Sequence, residues 1–375
     1  MWTLPDATAR RFPLIARPRP ACLPLPDRIH ALTALAATAA QKNDPGLAST
    51  VHNQAALLAC DLDLPGLART LCHRHATAQL QACPLPAAHA IRALEPVVNL
   101  ARLHIRAGHP DEGRQQLLDL RTAVRTGTTA RLDDIVVPAE LTATADARHE
   151  VCAWLWRVLI ADATRTYTAQ GRWTDALTHL KTHHGIGTRM LDGRQVAVLT
   201  ALTTGDTATA GTLLDETATG QPWEQAVTAC LALLQRRVSG QPADRFLASL
   251  ATTRLEHPAQ PGITVFDVRL GLTVLDTIGP ADPPAARRIA DALHSRTTET
   301  QDGYAARENL THPLFCTLAT DRQTQDCQAL VHACRLGTGT LPDQLREQLT
   351  AALRTSDDVI RTRTSGLGRP AEKPA

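Results

Sequence analysis

Two groups of side chains in this sequence have types and spacings suited to binding. Glu95, Asn99, Arg102 and Arg106 follow one another at intervals of four, three and four residues, and Asp162 and Arg165 at three, so each set lies on one helix face. A stripe of carboxylate, amide and guanidinium groups holds a peptide end or an anionic small molecule through charge-assisted hydrogen bonds. The same groups serve equally well as hydrogen-bonded links between neighbouring helices. The second group is the linker His183-His184-Gly185-Ile186-Gly187-Thr188-Arg189-Met190-Leu191-Asp192-Gly193-Arg194-Gln195. Its glycines permit positive φ, so backbone N–H groups beside His184, Arg189, Asp192 and Arg194 could cradle an anion. Alternatively, two glycines close one helix and Asp192 pairs with an arginine. The linker has no Gly-Lys-Ser/Thr and no preceding strand, so it is not a nucleotide-binding P-loop.

Cys72-His73-Arg74-His75 places soft ligands on one helix, with positions 72 and 75 on one face. No second pair sits at metal-ligand spacing, and Cys72 fits a core position better. Gly-x-Ser-x-Gly, His-Glu-x-x-His and Gly-x-Gly-x-x-Gly are all missing from the sequence. No metal and no cofactor is expected, and a catalytic role ranks below a binding role.

Thirty-nine basic residues stand against 37 acidic ones, for a net charge of +2. That balance argues against direct nucleic-acid binding, which calls for a basic excess on one face. Only Lys42, Lys181 and Lys373 are lysines, and alanine and threonine abound, a bias fitting a GC-rich, actinobacterial genome. Arginine abundance therefore carries no functional weight. With 3% aromatic residues, the core must be built from Leu, Ala and Val, which suits close helix packing. Nine cysteines without a Cys-x-x-Cys pair suit reduced thiols in a cytoplasm. The start shows no signal peptide, and the most apolar run, 151–161, is too short for a bilayer and interrupted by Arg157. A cytoplasmic protein with no membrane contact is expected.

Prolines at 5, 13, 18, 20, 24 and 26 make residues 1–26 an extended arm. Helical spacing begins at Asp27 with Ile29, Leu32, Ala36 and Ala39. Helices are expected over 47–60, 64–80, 87–107 (with Pro96 forcing a kink or a late start), 111–124 and 147–169. Residues 126–145 break the rhythm as a loop or short β-hairpin insertion around Ile135-Val136-Val137, and form a possible sub-boundary. The last helix is expected over 342–353, and 356–375 reads as a flexible polar tail.

The stretch Arg165–Leu180 holds Tyr167, Gly171 and Ala176 at the spacing of a helix, a tight turn and a partner helix. Turn signals recur at Gly205-Asp206 and Gly240-Gln241, 34 and then 35 residues on (171 to 205 to 240), with looser ones at Asp63, Gly108, Gly279-Pro280 and Gly337-Thr338-Gly339. This pattern resembles the tetratricopeptide-repeat proteins, whose period is about 34 residues. It is strongest at Tyr167/Gly171/Ala176 and fair at Gly205/Ala210/Leu214/Pro222. The sequence departs from it at Gly113 and Arg245, which stand where alanine is expected, and at Thr188, where proline is usual.

The resemblance implies an all-α fold, a right-handed α-solenoid of antiparallel helix hairpins over 27–355. It implies a concave groove lined by polar groups about nine residues before each turn: Asn99, Asp162 and, one residue out of register, Asn53. It also implies packing roles for Tyr167 and Ala176 between paired helices. The expected function is a non-enzymatic scaffold or adaptor for a protein or peptide partner. The alternative is a regulatory sensor whose arginines meet a small anionic ligand or signalling peptide. Leu132-Asp133-Asp134-Ile135 and Ser356-Asp357-Asp358-Val359 resemble the paired aspartates of terpene cyclases, but so few aromatics could not line a cyclase pocket.

Overall fold

The structure is a computed structural model, and it describes residues 2–242, 260–279 and 283–367. Its described part is helical apart from one small two-stranded sheet. The chain divides into two compact units, each built from two separate stretches: residues 25–163 with 335–375, and residues 1–24 with 164–334. Two boundaries, 163/164 and 334/335, fall inside the expected 27–355 range, and the third, 24/25, lies close to the end of the expected arm.

In the first unit the helices are Leu25–Lys42, Pro45–Asp61, Pro65–Leu80, Ala87–Arg106, Pro110–Thr126 and Ala145–Val158, the last running into a π turn at Leu159–Ala163. Each begins within two residues of where the apolar spacing puts it. Proline opens three of them at the first turn, where its missing N–H costs nothing. Asp44 caps another donor pair by accepting from the N–H groups of Gly46 and Leu47. Pro96 neither delays nor ends its helix, which runs from Ala87 to Arg106.

The helices end by a shared device. A residue with positive φ follows the last turn, and the next N–H reaches back five residues: Asp44 to Ala39, Leu64 to Ala59, His109 to His104. Successive helices thereby pack as neighbours around Leu58, Leu62, Leu94, Val98 and Leu100, all fully buried.

Gly113 explains itself here. A methyl group there would lie 2.5 Å from the Ala101 carbonyl oxygen and 2.6 Å from Ile105 Cγ1, so this pair of helices is closer than alanine permits.

Residues 126–145 do form a β-hairpin, Ala130–Leu132 paired antiparallel with Ile135–Val137. Alternate residues Ala130, Leu132, Ile135 and Val137 turn inward. Backbone bonds from Leu85 to Leu141 and from Ala143 to Leu85 tie the insertion down.

The C-terminal end corrects the sequence reading. Residues 356–367 are not a flexible tail but continue the helix Asp343–Leu367, which packs on the helices Leu25–Lys42, Pro45–Asp61 and Pro65–Leu80. Leu349, Ala352, Leu353, Ser356 and Ile360 recur at spacings of one, three and four and are all buried. Val359 and Ile360 close over Ala39 and Ala48. The Gly337-Thr338-Gly339 segment is no hairpin turn, since its glycine N–H groups donate to the Asp61 and Leu62 carbonyls.

In the second unit the arm is not simply extended. It holds a short helix, Asp6–Ala9, and buries Ala9, Phe12, Leu14 and Cys22. The Gln195 amide bonds both the N–H and the carbonyl of Leu14, at 2.7 and 2.8 Å. Asp276 gathers Thr8 and Arg11 at 2.5 Å each and His312 at 2.9 Å. The Gly171, Gly205 and Gly240 turns share positive φ and the same five-residue back-bond. Ala176 is fully buried, as packing requires. Tyr167 is only half-buried, because its ring lies over His179 at 5.9 Å with the Arg172 guanidinium 4.9 Å from its centre. Arg245, Pro280 and 368–375 lie outside the described residues.

Two outcomes follow from this packing. Gly113→Ala gains up to about 1 kcal/mol of helix propensity but overpacks a backbone contact costing about 1–3 kcal/mol. Urea unfolding is expected to show a net loss. Stopping the chain after Thr355 removes Val359 and Ile360, each worth about 1.5–3 kcal/mol buried. The urea midpoint should fall well below that of a chain stopped after Leu367, and equal midpoints would contradict the packing described.

Candidate functional site

The expected groove stripe is real as a cluster, but its members bind one another. Asn53 donates to Glu95 at 2.6 Å. Arg102 reaches Asp162 through Nε and Nη2 at 2.9 and 2.7 Å, and Asn99 through Nη1 at 2.9 Å. Burial pushes the Glu95 carboxyl pKa up, against the Asn53 bond and nearby arginines. Arg106 lies on the Cys60 thiol, whose pKa burial raises. Arg165 belongs to the other unit and donates to the Pro13 carbonyl at 2.7 Å.

The polar groups of the glycine-rich linker are likewise engaged, by partners elsewhere in its unit. Arg189 grips the buried Glu224 through two nitrogens, and this bond holds the Glu224 pKa down. Arg194, 6% exposed, donates to the Leu213 carbonyl at 3.1 and 2.7 Å. Asp192 pairs with Arg17 at 3.4 Å, and His184 takes positive φ to end a helix. Of the two readings of this linker, the structural one describes its contacts.

A different place draws charge together. The helix Pro65–Leu80 presents Arg69, His73, Arg74 and Thr77 along one side, with Thr70 beside them and Gln81 just past its end. Asp134 enters from the turn of the β-hairpin and Arg361 from the C-terminal helix. They line an open cleft of about 580 Å³ within the first unit. Three short motifs that carry no chemistry separately meet here: Cys72-His73-Arg74-His75 and both Asp-Asp pairs. Asp133 pairs with Arg69 and lies 2.9 Å from His104 Nε2. Partial burial opposes its charge, but the His104 bond and the Arg69 and His104 charges hold its pKa down. Asp357 pairs with Arg74, and Asp358 with Arg361 at 3.4 Å.

Behind the cleft wall the polar groups continue inward. His52 and His75, each 1% exposed, stack with ring centres 5.0 Å apart and planes 20° from parallel. His52 Nε2 lies 3.0 Å from Asp357 Oδ1, off the line of a hydrogen bond. Neither imidazole has a hydrogen-bonding partner among the described residues, while Gln79 and Ser49 bond each other at 2.7 Å. Burial first, and the Arg74 charge second, lower the His52 pKa to about 4. Burial and His52 lower His75 to about 3. Among the described residues no three His, Cys, Asp or Glu side chains are grouped as ligands of one metal ion.

No family model, curated protein or solved structure matches this chain. What the cleft can hold follows from its own groups. Arg69 and Arg74 each engage their aspartate through one terminal nitrogen, and a guanidinium carries five donors. With the Thr77 hydroxyl alongside, the remaining donors suit an oxyanion such as a carboxylate, sulfate or phosphate group; the Thr70 hydroxyl already donates to the Gly66 carbonyl at 2.9 Å.

The sequence carried one signal for this site: six polar residues spaced three and four apart on the outer side of 69–81. It was masked by reading 72–75 only as metal ligands. His52 gave no signal at all, being a lone histidine in an alanine-rich helix.

The buried imidazoles set an acid limit on stability. They stay neutral in the folded chain to about pH 4 and pH 3 but protonate near 6.5 when unfolded. Below pH 6.5 the unfolded chain binds more protons, so stability is full above 6.5 and falls as pH drops towards 4. At about 1.4 kcal/mol per pKa unit the loss amounts to several kcal/mol. Urea midpoints between pH 7.5 and 4 should fall steeply for the native chain and less steeply for His75→Leu; parallel curves would contradict it.

Proposed function

We propose that this chain is a non-enzymatic binding module of tetratricopeptide-like design, a right-handed solenoid of helix hairpins, that holds a partner by an anionic group. The observation that carries the reading is the convergence of Arg69, Arg74 and Arg361 from two helices on one open cleft beside the Thr77 hydroxyl. The helical repetition supports the solenoid part, since successive helices pack in order and end in one kind of turn. The anionic group is a carboxylate or a phosphate-like oxyanion, carried by a small metabolite or by an acidic peptide, and the role is that of a sensor or adaptor. A binding role is favoured over a catalytic one because the stacked imidazoles His52 and His75 are enclosed behind the cleft wall.

Titration calorimetry tests this reading. Sulfate, citrate and a short peptide rich in glutamate serve as probes for the full chain, with Arg69→Gln and Arg361→Gln as variants. Each substitution is expected to weaken the preferred probe about tenfold, the equivalent of about 1.4 kcal/mol. The probe of higher affinity tells metabolite from peptide. Affinity unchanged in the double variant would remove the cleft as the binding site.

A further inference from the structure

Arg74 stands in two places at once. It lines the open cleft, 44% exposed as a side chain, and it is the partner of Asp357, whose side chain is only 5% exposed. Asp357 in turn lies 3.0 Å from the buried His52. The order from solvent inward is thus cleft, guanidinium, carboxylate, imidazole, imidazole, with one positive and one negative charge along it.

We propose that the cleft is a proton-coupled anion site: an oxyanion bound by the outward donors of Arg74 draws the guanidinium charge away from Asp357, and His52 accepts one proton and becomes the new counter-charge. This rests on the anion-binding reading above. The reason is the cost of a buried, unpaired carboxylate. Removing one partner from a buried ion pair is strongly destabilising, because the other charge is left uncompensated. Asp357 cannot turn to water, and the nearest group able to become positive is His52.

The proton comes from solvent and resides on His52 Nε2, facing Asp357 Oδ1, so the buried side gains one positive charge as the cleft gains the anion. The inner cluster has the matching deficit, since both imidazoles lack hydrogen-bonding partners among the described residues. Protonating His52 converts the off-line contact into an ion pair.

The groups facing His52 are few. The helix Pro65–Leu80 offers His75 and Arg74, and the helix Asp343–Leu367 offers Asp357. The helix Leu25–Lys42 buries only apolar residues, and the nearest carboxylate of Ala87–Arg106, Glu95, is held by Asn53. In the cleft itself His73 is the one further titratable base among the lining residues, and it needs separate control.

Sulfate is the probe because it stays fully ionised from pH 5 to 8. Calorimetric titration of the full chain in the His73→Gln background, in two buffers of different ionisation enthalpy, is expected to show uptake of close to one proton. Affinity should strengthen by up to about tenfold per pH unit as pH falls through the coupled range. Adding His52→Gln should weaken sulfate binding at pH 5 to its level at pH 8 and make it flat with pH. In the unsubstituted chain, imidazole nitrogen chemical shifts should report His52 becoming protonated at pH 6.5 when sulfate is added, a readout independent of either variant. Sulfate binding with no proton uptake, or a slope that survives His52→Gln, overturns the coupling and leaves the cleft as an anion site. No sulfate binding at all overturns the coupling, and the anion-site reading falls with it only if citrate and the glutamate peptide also fail to bind.

Discussion

A helix can end tightly only if some residue turns its backbone into the left-handed region, and this fold depends on meeting that demand repeatedly. Asn43, Asp63, Gly108, Gly171, His184, Gly205, Gly240 and Gln301 all do so, each followed by an N–H that bonds five residues back. For a side-chain-bearing residue that conformation costs about 1–2 kcal/mol, least for Asn and Asp, and the recovered carbonyl bonds offset it. Because the turn consumes so few residues, consecutive helices have no choice but to lie against one another. Small residues on the facing sides then fix how close they come. Gly113 is the extreme case, where even a methyl group has no room.

The second organising interaction is ionic. Asp357 is brought by the C-terminal helix into contact with Arg74 and His52, which come from two helices of the opening hairpin. Asp133 does the equivalent for the β-hairpin, reaching Arg69 and His104. The two aspartates thus dock two separate pieces of chain on one helix, and the cleft is the space left between them. Its charge is a by-product of assembly: the arginines that receive these pieces still have donors turned outward.

Much of the fold was legible in the sequence. Apolar spacing located the helices of the first unit, glycine marked the 171, 205 and 240 turns, and the Ile135-Val136-Val137 run marked the hairpin. Glycine was too narrow a marker, however, for the turns at His184 and Gln301 use ordinary side chains. The polar composition after Ser356 hid a helix whose inward face carries only a thin line of apolar groups. The cleft was illegible for a different reason. Arg74 and Asp357 are 283 residues apart, and no local pattern announces a pair formed only when the chain returns on itself. The Asn53–Asp162 stripe was found by spacing, but spacing cannot tell a group that awaits a partner from one that already has one, as Arg102 has in Asp162.

The return of the helix Asp343–Leu367 also bears on how the molecule is made. Neither unit is a continuous run of chain, and the first one emerges from the ribosome with Ala39 and Ala48 uncovered until some three hundred further residues have followed. Its closing contacts are among the most sequence-distant in the protein, a topology that slows folding because loop closure must precede its reward. During that interval the stretch most in need of shelter is not the last to be synthesised but the first.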